Sequence, residues 1–285
     1  MQKYSEIFLL FKDEIEQIKH NMIKDLNIPK PIKLKLEEFL NSPSKHIRPL
    51  VSLLILKSLG YEVDSRQIEY QTAIELVHNA SLIHDDVIDE SDKRRNIKTI
   101  NFEFDNKLAV LSGDYLLSLA QKKVLNLNFP ELTMMFCETL ETMTKGEFIQ
   151  YFSKFSIPSI EEYLKKSEQK TAKLFETAIC GSLYMAGYQN MTEIKDFAKN
   201  FGTAFQIRDD LINCKTSCSD IKEGIYTAPV IFSKNENVSL YGIEKTQSLL
   251  NNYIDNAQSF VQKLNDSIYK TATEELLRVM RDGQI

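Results

Sequence analysis

The chain has 285 residues, the size of one or two domains at roughly 150 residues each. Its 35 Lys and Arg against 40 Asp and Glu leave a net charge of −5, which excludes the strongly basic balance of a dedicated nucleic-acid binder. Nine glycines and seven prolines cannot punctuate many short strands, so an all-β fold is excluded, and 43% hydrophobic residues suffice for a large helical core.

Apolar residues recur at helical spacing over 5–26 (Ile7, Leu10, Phe11, Ile15, Ile18, Met22), and Pro29 and Pro31 end the run. A short helix is expected over 32–40, closed by the Asn41-Ser42-Pro43-Ser44 turn. The nearly all-apolar segment from Pro49 to Leu59, stopped at Gly60, predicts a central helix. Another long helix covers 66–90, and a polar loop follows from Ser91 to Lys98. The same periodicity predicts helices over 105–127, 131–152, 160–187 and 191–213, a polar connection over 214–229, and closing helices over 241–281. Neither an interdomain linker nor a fixed-period repeat is evident, so residues 1–285 read as a single all-α domain.

Four scattered cysteines (Cys137, Cys180, Cys214, Cys218) make neither a disulfide framework nor, with the histidines confined to the first third, a zinc spacing. The N-terminus turns acidic after a short apolar stretch without a small-residue cleavage site, and the longest largely apolar stretch, Leu50 to Leu56, is too short to span a bilayer. A cytoplasmic protein without a membrane span is the expectation.

Two acidic clusters end apolar helices. In SLIHDDVIDESDKRR, Asp85 and Asp89 stand i, i+4, on one helix face, with Asp86 beside them. Like charges at that spacing destabilise a helix unless a cation lies between them, and hard carboxylate oxygens suit Mg²⁺. In FGTAFQIRDDLIN, Asp209 and Asp210 repeat the arrangement, with Gln206 four residues before Asp210. Either cluster alone would read as a solvated helix end. Two of them facing across a helical cavity would hold several Mg²⁺ ions and leave coordination positions for diphosphate oxygens. Lys45, Arg48, Arg94, Arg95, Lys170 and Lys215 supply the forks and point charges that diphosphates accept.

Together, SLIHDDVIDESDKRR and FQIRDD resemble the trans-type polyprenyl diphosphate synthases, and the matching segments keep that family's order from Lys45 to Pro229. They include KHIRP, ELVHNASLIHDD, RR, GDYLL (Gly113, Asp114), GEFIQ (Gly146, Gln150), QKTA (Lys170, Thr171) and SDIKEG. The resemblance implies antiparallel helices around a deep cavity, usually in a homodimer. It implies a transferase that joins isopentenyl diphosphate head-to-tail to an allylic diphosphate primer, farnesyl or geranyl, and releases diphosphate. The aspartates Asp85, Asp86, Asp89, Asp209 and Asp210 would bind three Mg²⁺ ions on the allylic diphosphate. Lys45, Arg48, His78 and Arg95 would grip isopentenyl diphosphate. Arg94, Lys170, Thr171 and Lys215 would face the allylic diphosphate, with Gln206 nearby, and His84 would be structural. Three departures stand out: Asn213 in place of a third aspartate, Ile225 in place of a lysine, and Asn96 in place of a glycine.

The hydrocarbon tail must run away from Asp85, and Ser81 and Val77 lie about 6 and 12 Å along the helix from it. Small residues at Ala80 and Ser81 leave that path open, and Phe136 matches a bulky floor position in octaprenyl-type relatives. A product of about C30 to C40, such as a quinone side chain, is the expectation. Shorter-chain farnesyl or geranylgeranyl synthesis and a non-catalytic partner subunit are the alternatives. A terpene cyclase, which uses one diphosphate, has little use for a Lys45/Arg48/His78 pocket.

Overall fold

The computed structural model describes residues 2–283. Where one helix was expected over 5–26 there are two, α1 (Gln2–Leu9) and α2 (Lys12–Lys24). The chain breaks at Leu10–Phe11 so that Phe11 and Ile15 are buried while Leu9 and Leu10 stay exposed. The Phe11 ring lies 5.8 Å from that of Tyr269, a contact from the far end of the chain that local periodicity does not contain. α3 (Lys30–Asn41) carries Pro31 in its first turn, where a missing amide hydrogen costs little. α4 (Ile47–Ser58) and α5 (Ser65–Ile88) are buried along most of their length. A capping box opens α5: the Asp64 carboxylate accepts from the amides of Arg66 and Gln67, and the Gln67 side chain accepts from the Asp64 amide.

The polar segment after α5 is an antiparallel hairpin, β1 (Lys93–Arg94) and β2 (Ile97–Lys98), with Arg94 opposite Ile97. Its two loop residues, Arg95 and Asn96, have φ of 52° and 67°, both positive as a type I′ turn requires. Asparagine tolerates this left-handed conformation better than most residues with a side chain, so the missing glycine at Asn96 leaves the turn intact. Two-residue strands are too short to show a period in the sequence.

There follow α6 (Ile100–Glu103), α7 (Asn106–Asn126), α8 (Pro130–Phe152) and α9 (Ile160–Ser167). The helix expected over 160–187 is interrupted after α9 by a π turn at Glu168–Ala172 before α10 (Lys173–Met185) resumes. The cause lies in the neighbouring helices. A Cβ on Gly146 of α8 would come within 2.9 Å of the Lys170 amide nitrogen, and one on Gly202 within 2.6 Å of the Ala172 Cα. Two glycines thus let the backbone of the π turn wedge between α8 and α11 (Met191–Thr216), a widening that helices often reserve for functional sites. Short α12 (Ser219–Lys222) and α13 (Ala228–Ser233) lie in the connection, and α14 (Leu240–Val261) and α15 (Ile268–Arg281) close the chain.

The expected all-α architecture is therefore present, the hairpin being the only sheet among the described residues. Its apolar interior has two parts. One joins α4, α11, α14 and α15, the other α2, α3, α5, α7 and α8, and α10 contributes to both, with Phe175 and Ile179 in the first and Leu174 and Ala178 in the second. A buried polar knot stitches them: Gln71 Nε2 donates to Ser52 Oγ, Ser182 Oγ and the Ala178 carbonyl at 2.8–2.9 Å. Among the described residues, no helix is long and apolar enough to cross a membrane.

Candidate active site

A cavity of about 780 Å³ opens where the two halves of the interior meet, lined by Ile47 and Phe205 from one and Val77 from the other. Its cationic end holds Lys45, Arg48, His78 and Arg95 together. Arg48 is buried, its Cζ 4.7 Å over the Phe175 ring, and its Nε has no hydrogen-bond partner. Burial pushes its pKa down to about 10, so it stays charged at neutral pH. A charged guanidinium with an unmatched donor on a cavity wall favours an anionic ligand. Burial, and then Arg48 and Arg95, hold His78 well below the ordinary imidazole value, so it is neutral and offers a hydrogen bond without added charge.

Sequence reasoning missed the anchor of this end. Glu75, buried within α5, takes a 2.7 Å contact from His46 Nδ1, while His46 Nε2 meets Ser44 Oγ at 2.8 Å. Burial alone would raise the Glu75 carboxyl, but the His46 hydrogen bond and the charges of Arg48 and Arg95 hold it below its ordinary value. His46 itself has φ 45°, so this clamp fixes the strained turn that presents Lys45 and Arg48 at the start of α4. At the other wall Arg95 donates from Nη1 to Ser42 Oγ at 3.2 Å.

The acidic end forms a second cavity of about 350 Å³, which shares Asp85, Arg94, Lys170, Thr171, Gln206 and Asp209 with the first. The π turn delivers Lys170, whose Nζ lies 2.5 Å from Glu147 Oε2 and 3.8 Å from Asp85 Oδ2. The next residue starts a relay: Thr171 Oγ1 donates to Gln206 Oε1, and Gln206 Nε2 donates to Asp210 Oδ1 at 2.7 Å. Asp210 also accepts from the buried Tyr163 hydroxyl. Asp209 accepts from Arg208 Nη1 at 2.6 Å.

Several expected site residues fall elsewhere. Asp86 is buried, accepts from Arg94 Nε at 2.6 Å and lines neither cavity; it holds the hairpin arginine in place. Lys215 is exposed in the last turn of α11 and lines neither cavity. Val77 and Ser81 line the large cavity, but Ala80 and Phe136 do not; both are packed in the second part of the core. One residue turns a helix by about 100°, which separates Ala80 from Ser81. Instead Leu117, Leu140 and Met143 of α7 and α8 complete the apolar arm. His84 is structural in part: its ring fills the space where a Cβ on Gly113 would sit, 2.1 Å from Nε2, which accounts for the glycine of GDYLL.

Beyond those residues, Asp220 and Glu223 join the acidic cavity. Asn213 Nδ2 donates to Asp220 Oδ1 at 2.9 Å and to Ser219 Oγ at 2.7 Å. The position that usually carries a third aspartate therefore orients a carboxylate seven residues later. The signal was the Asp of SDIKEG, but its folding back onto α11 is tertiary.

The acidic cavity has more negative than positive groups: Asp85, Asp89, Asp209, Asp210, Asp220 and Glu223 against Arg94, Lys166 and Lys170. Burial raises Asp85 to about 6 and Asp210 to about 7, and lifts Asp209, Asp220 and Glu223 as well. Asp89 Oδ1 is buried without a hydrogen-bond partner, with Lys154 Nζ at 3.6 Å. Desolvated carboxylates with an orphaned oxygen fit a hard divalent cation. Among the described residues no three ligating side chains already converge on one point, so a cation here needs oxygens from a ligand as well.

A stability profile follows. Because the folded protein holds protons on Asp85 and Asp210 more tightly than the unfolded chain, whose carboxyls titrate near 3.8, it binds more protons over this range and loses stability as pH rises. In EDTA the melting temperature is expected to fall from pH 5 to pH 8, with the neutral His78 opposing over the lower part of the window. Mg²⁺ with inorganic pyrophosphate is expected to recover the loss at pH 8. Calorimetry at the two pH values checks both, and a melting temperature that rises with pH in EDTA contradicts the charge surplus.

The polyprenyl synthetase family model matches residues 29–274. The decaprenyl-diphosphate synthase of Dictyostelium discoideum is 32% identical over 317 residues, which cover 93% of this chain and 69% of that protein. In fold, the chain superposes on the heptaprenyl diphosphate synthase from Staphylococcus aureus with a TM-score of 0.89 at 22% identity, covering 95% of this chain and 98% of that one. It likewise matches the polyprenyl synthase from Caulobacter crescentus complexed with calcium and isoprenyl diphosphate, with a TM-score of 0.88 at 21% identity over 98% and 97% of the two chains. The chain belongs to the polyprenyl synthetase family.

Proposed function

We propose that this protein is a Mg²⁺-dependent prenyltransferase that condenses isopentenyl diphosphate with an allylic diphosphate, releasing diphosphate and building an all-trans chain of about C30 to C40. One observation carries the reading: a cationic pocket and an acidic pocket meet at the mouth of one apolar arm. Two anionic heads and one growing tail are what that arrangement accommodates. The names of the decaprenyl and heptaprenyl relatives, and the calcium and isoprenyl diphosphate of the third, support the long chain and the divalent metal.

Mg²⁺ would be held by Asp85, Asp89 and Asp209, and when bound it would act as a Lewis acid that draws charge onto the leaving diphosphate. The chain's own groups do the rest. Lys170 and Arg94 face the allylic diphosphate and stabilise the charge that develops as the C–O bond breaks. Lys45, Arg48, Arg95 and neutral His78 hold isopentenyl diphosphate so that its double bond bonds to the allylic cation, and the proton then lost from the adduct passes to the released diphosphate. The Thr171–Gln206–Asp210–Tyr163 relay fixes the floor between the two sites. Chromatography of products from purified protein, Mg²⁺, farnesyl diphosphate and labelled isopentenyl diphosphate tests the reading; failure to consume isopentenyl diphosphate refutes it.

The tail is proposed to follow Val77 and Ser81 toward Leu117, Leu140 and Met143. Ser81 lines this arm half-buried, its hydroxyl donating to the His78 carbonyl at 2.8 Å. Ser81→Phe is expected to plug the arm and shorten products to about C15–C20, because a close-packed wall cannot yield a ring's width. Unchanged product length would rule out this path.

A single domain, a homodimer and a cytoplasmic setting complete the proposal. The single domain is supported by α10, which packs in both parts of the core. The dimer is supported by exposed Leu111, Leu125 and Met134 on α7 and α8, and the setting by four free cysteines.

A further inference from the structure

Lys166 lines the acidic cavity together with Ile225, and the same two residues also line a smaller cavity of about 280 Å³ beside it. Ile225 brings no charge to a position where the resemblance leads one to expect a lysine. Lys166 brings a charge that feels Asp210 and Asp220 across the cavity but has no described carboxylate within ion-pair distance. Among the described residues its amine makes neither a hydrogen bond nor an ion pair, and its close partner is the Tyr163 ring at 5.7 Å. Lys170, by contrast, is already engaged by Glu147 and Asp85.

The placement is costly in two ways. A half-buried ammonium gives up part of its hydration without a hydrogen bond in return, and burial lowers its pKa even though Asp210 and Asp220 pull the other way. Lys166 also stands four residues before Lys170, and like charges at that spacing repel. Two amines one turn apart on the wall of a cavity that takes a polyanion are relieved together when the polyanion arrives.

We propose that Lys166 binds the allylic diphosphate beside Lys170 and supplies the positive charge that Ile225 leaves out. The inference rests on the prenyltransferase reading above. The charge has moved from the loop before α13 to the helix before the π turn, which is held by packing against α8 and α11.

The test compares the wild type with Lys166→Met, Lys166→Arg and the double variant Lys166→Met/Ile225→Lys. Calorimetry measures affinity for inorganic pyrophosphate with Mg²⁺, and kinetics give KM for each substrate. Lys166→Met is expected to weaken pyrophosphate about tenfold, the size of one charge-assisted hydrogen bond net of solvent. KM for farnesyl diphosphate should rise in parallel, with KM for isopentenyl diphosphate unmoved. Lys166→Arg and the double variant are each expected to recover most of the loss; a merely structural lysine would not be rescued from position 225. Unchanged pyrophosphate affinity in Lys166→Met overturns the proposal, as does a double variant no better than the single one. A wild type that neither binds pyrophosphate nor consumes isopentenyl diphosphate overturns the functional reading itself, and the inference with it.

Discussion

Asp85→Asn is expected to lower the rate of condensation by roughly 10²–10³-fold while leaving the fold intact, the scale lost when one group aimed at developing charge is removed. Asp85 ends a buried helix, shares a face with Asp89, and is raised to about 6 by burial, then by Glu147 and Asp89 against the pull of Lys170 and Arg94. Asparagine keeps the volume and discards the charge. The apo protein should then melt higher at pH 8, by roughly 2–4 °C for each kcal/mol of repulsion relieved. Activity lost while stability is gained marks a group kept for chemistry. Steady-state rates at saturating Mg²⁺, with calorimetry on the same preparations, check both halves. A variant within tenfold of wild-type rate would remove Asp85 from the mechanism.

The second large effect is structural. Gly202→Val places a Cβ within 2.6 Å of the Ala172 Cα and 2.8 Å of its Cβ, both in or attached to backbone that has nowhere to go. The cost is expected to be about 3 kcal/mol, at the upper end for overpacking, and the melting temperature should drop by about 6–12 °C. Because the π turn carries Lys170 and Thr171, the protein that remains folded should also lose activity beyond what its folded fraction explains. Denaturant titration and specific activity corrected for folded protein separate the two. A variant as stable as wild type would mean the π turn is not held by this contact.

What was legible in the sequence is what local chemistry determines. Long amphipathic or all-apolar periods gave α4, α5, α7, α8 and α11 to within a few residues, and paired aspartates at helix ends announced the acidic cavity. What was not legible depends on partners distant in the chain. The break before Phe11 answers to Tyr269, and the π turn answers to two glycines on other helices. Glu75 lies within the helix expected over 66–90, but the His46 that clamps it stands 29 residues earlier in the chain. The resemblance placed Lys215 at the allylic diphosphate, but helical rotation carries it to solvent in the last turn of α11. Ala80 and Ser81 are neighbours in sequence with opposite fates, one packed and one lining the arm.

Among the described residues eight other than glycine have left-handed backbones, and they are not equivalent for anyone seeking a sturdier enzyme. Glycine at such a position relieves roughly 1–2 kcal/mol of steric cost. At Asn128 and Lys234, which line none of the three cavities described, that relief leaves the substrate pockets untouched. At His46 and Arg95 it would delete the side chains that the strained turns exist to present, so thermostability engineering should begin at the first pair and stop short of the second.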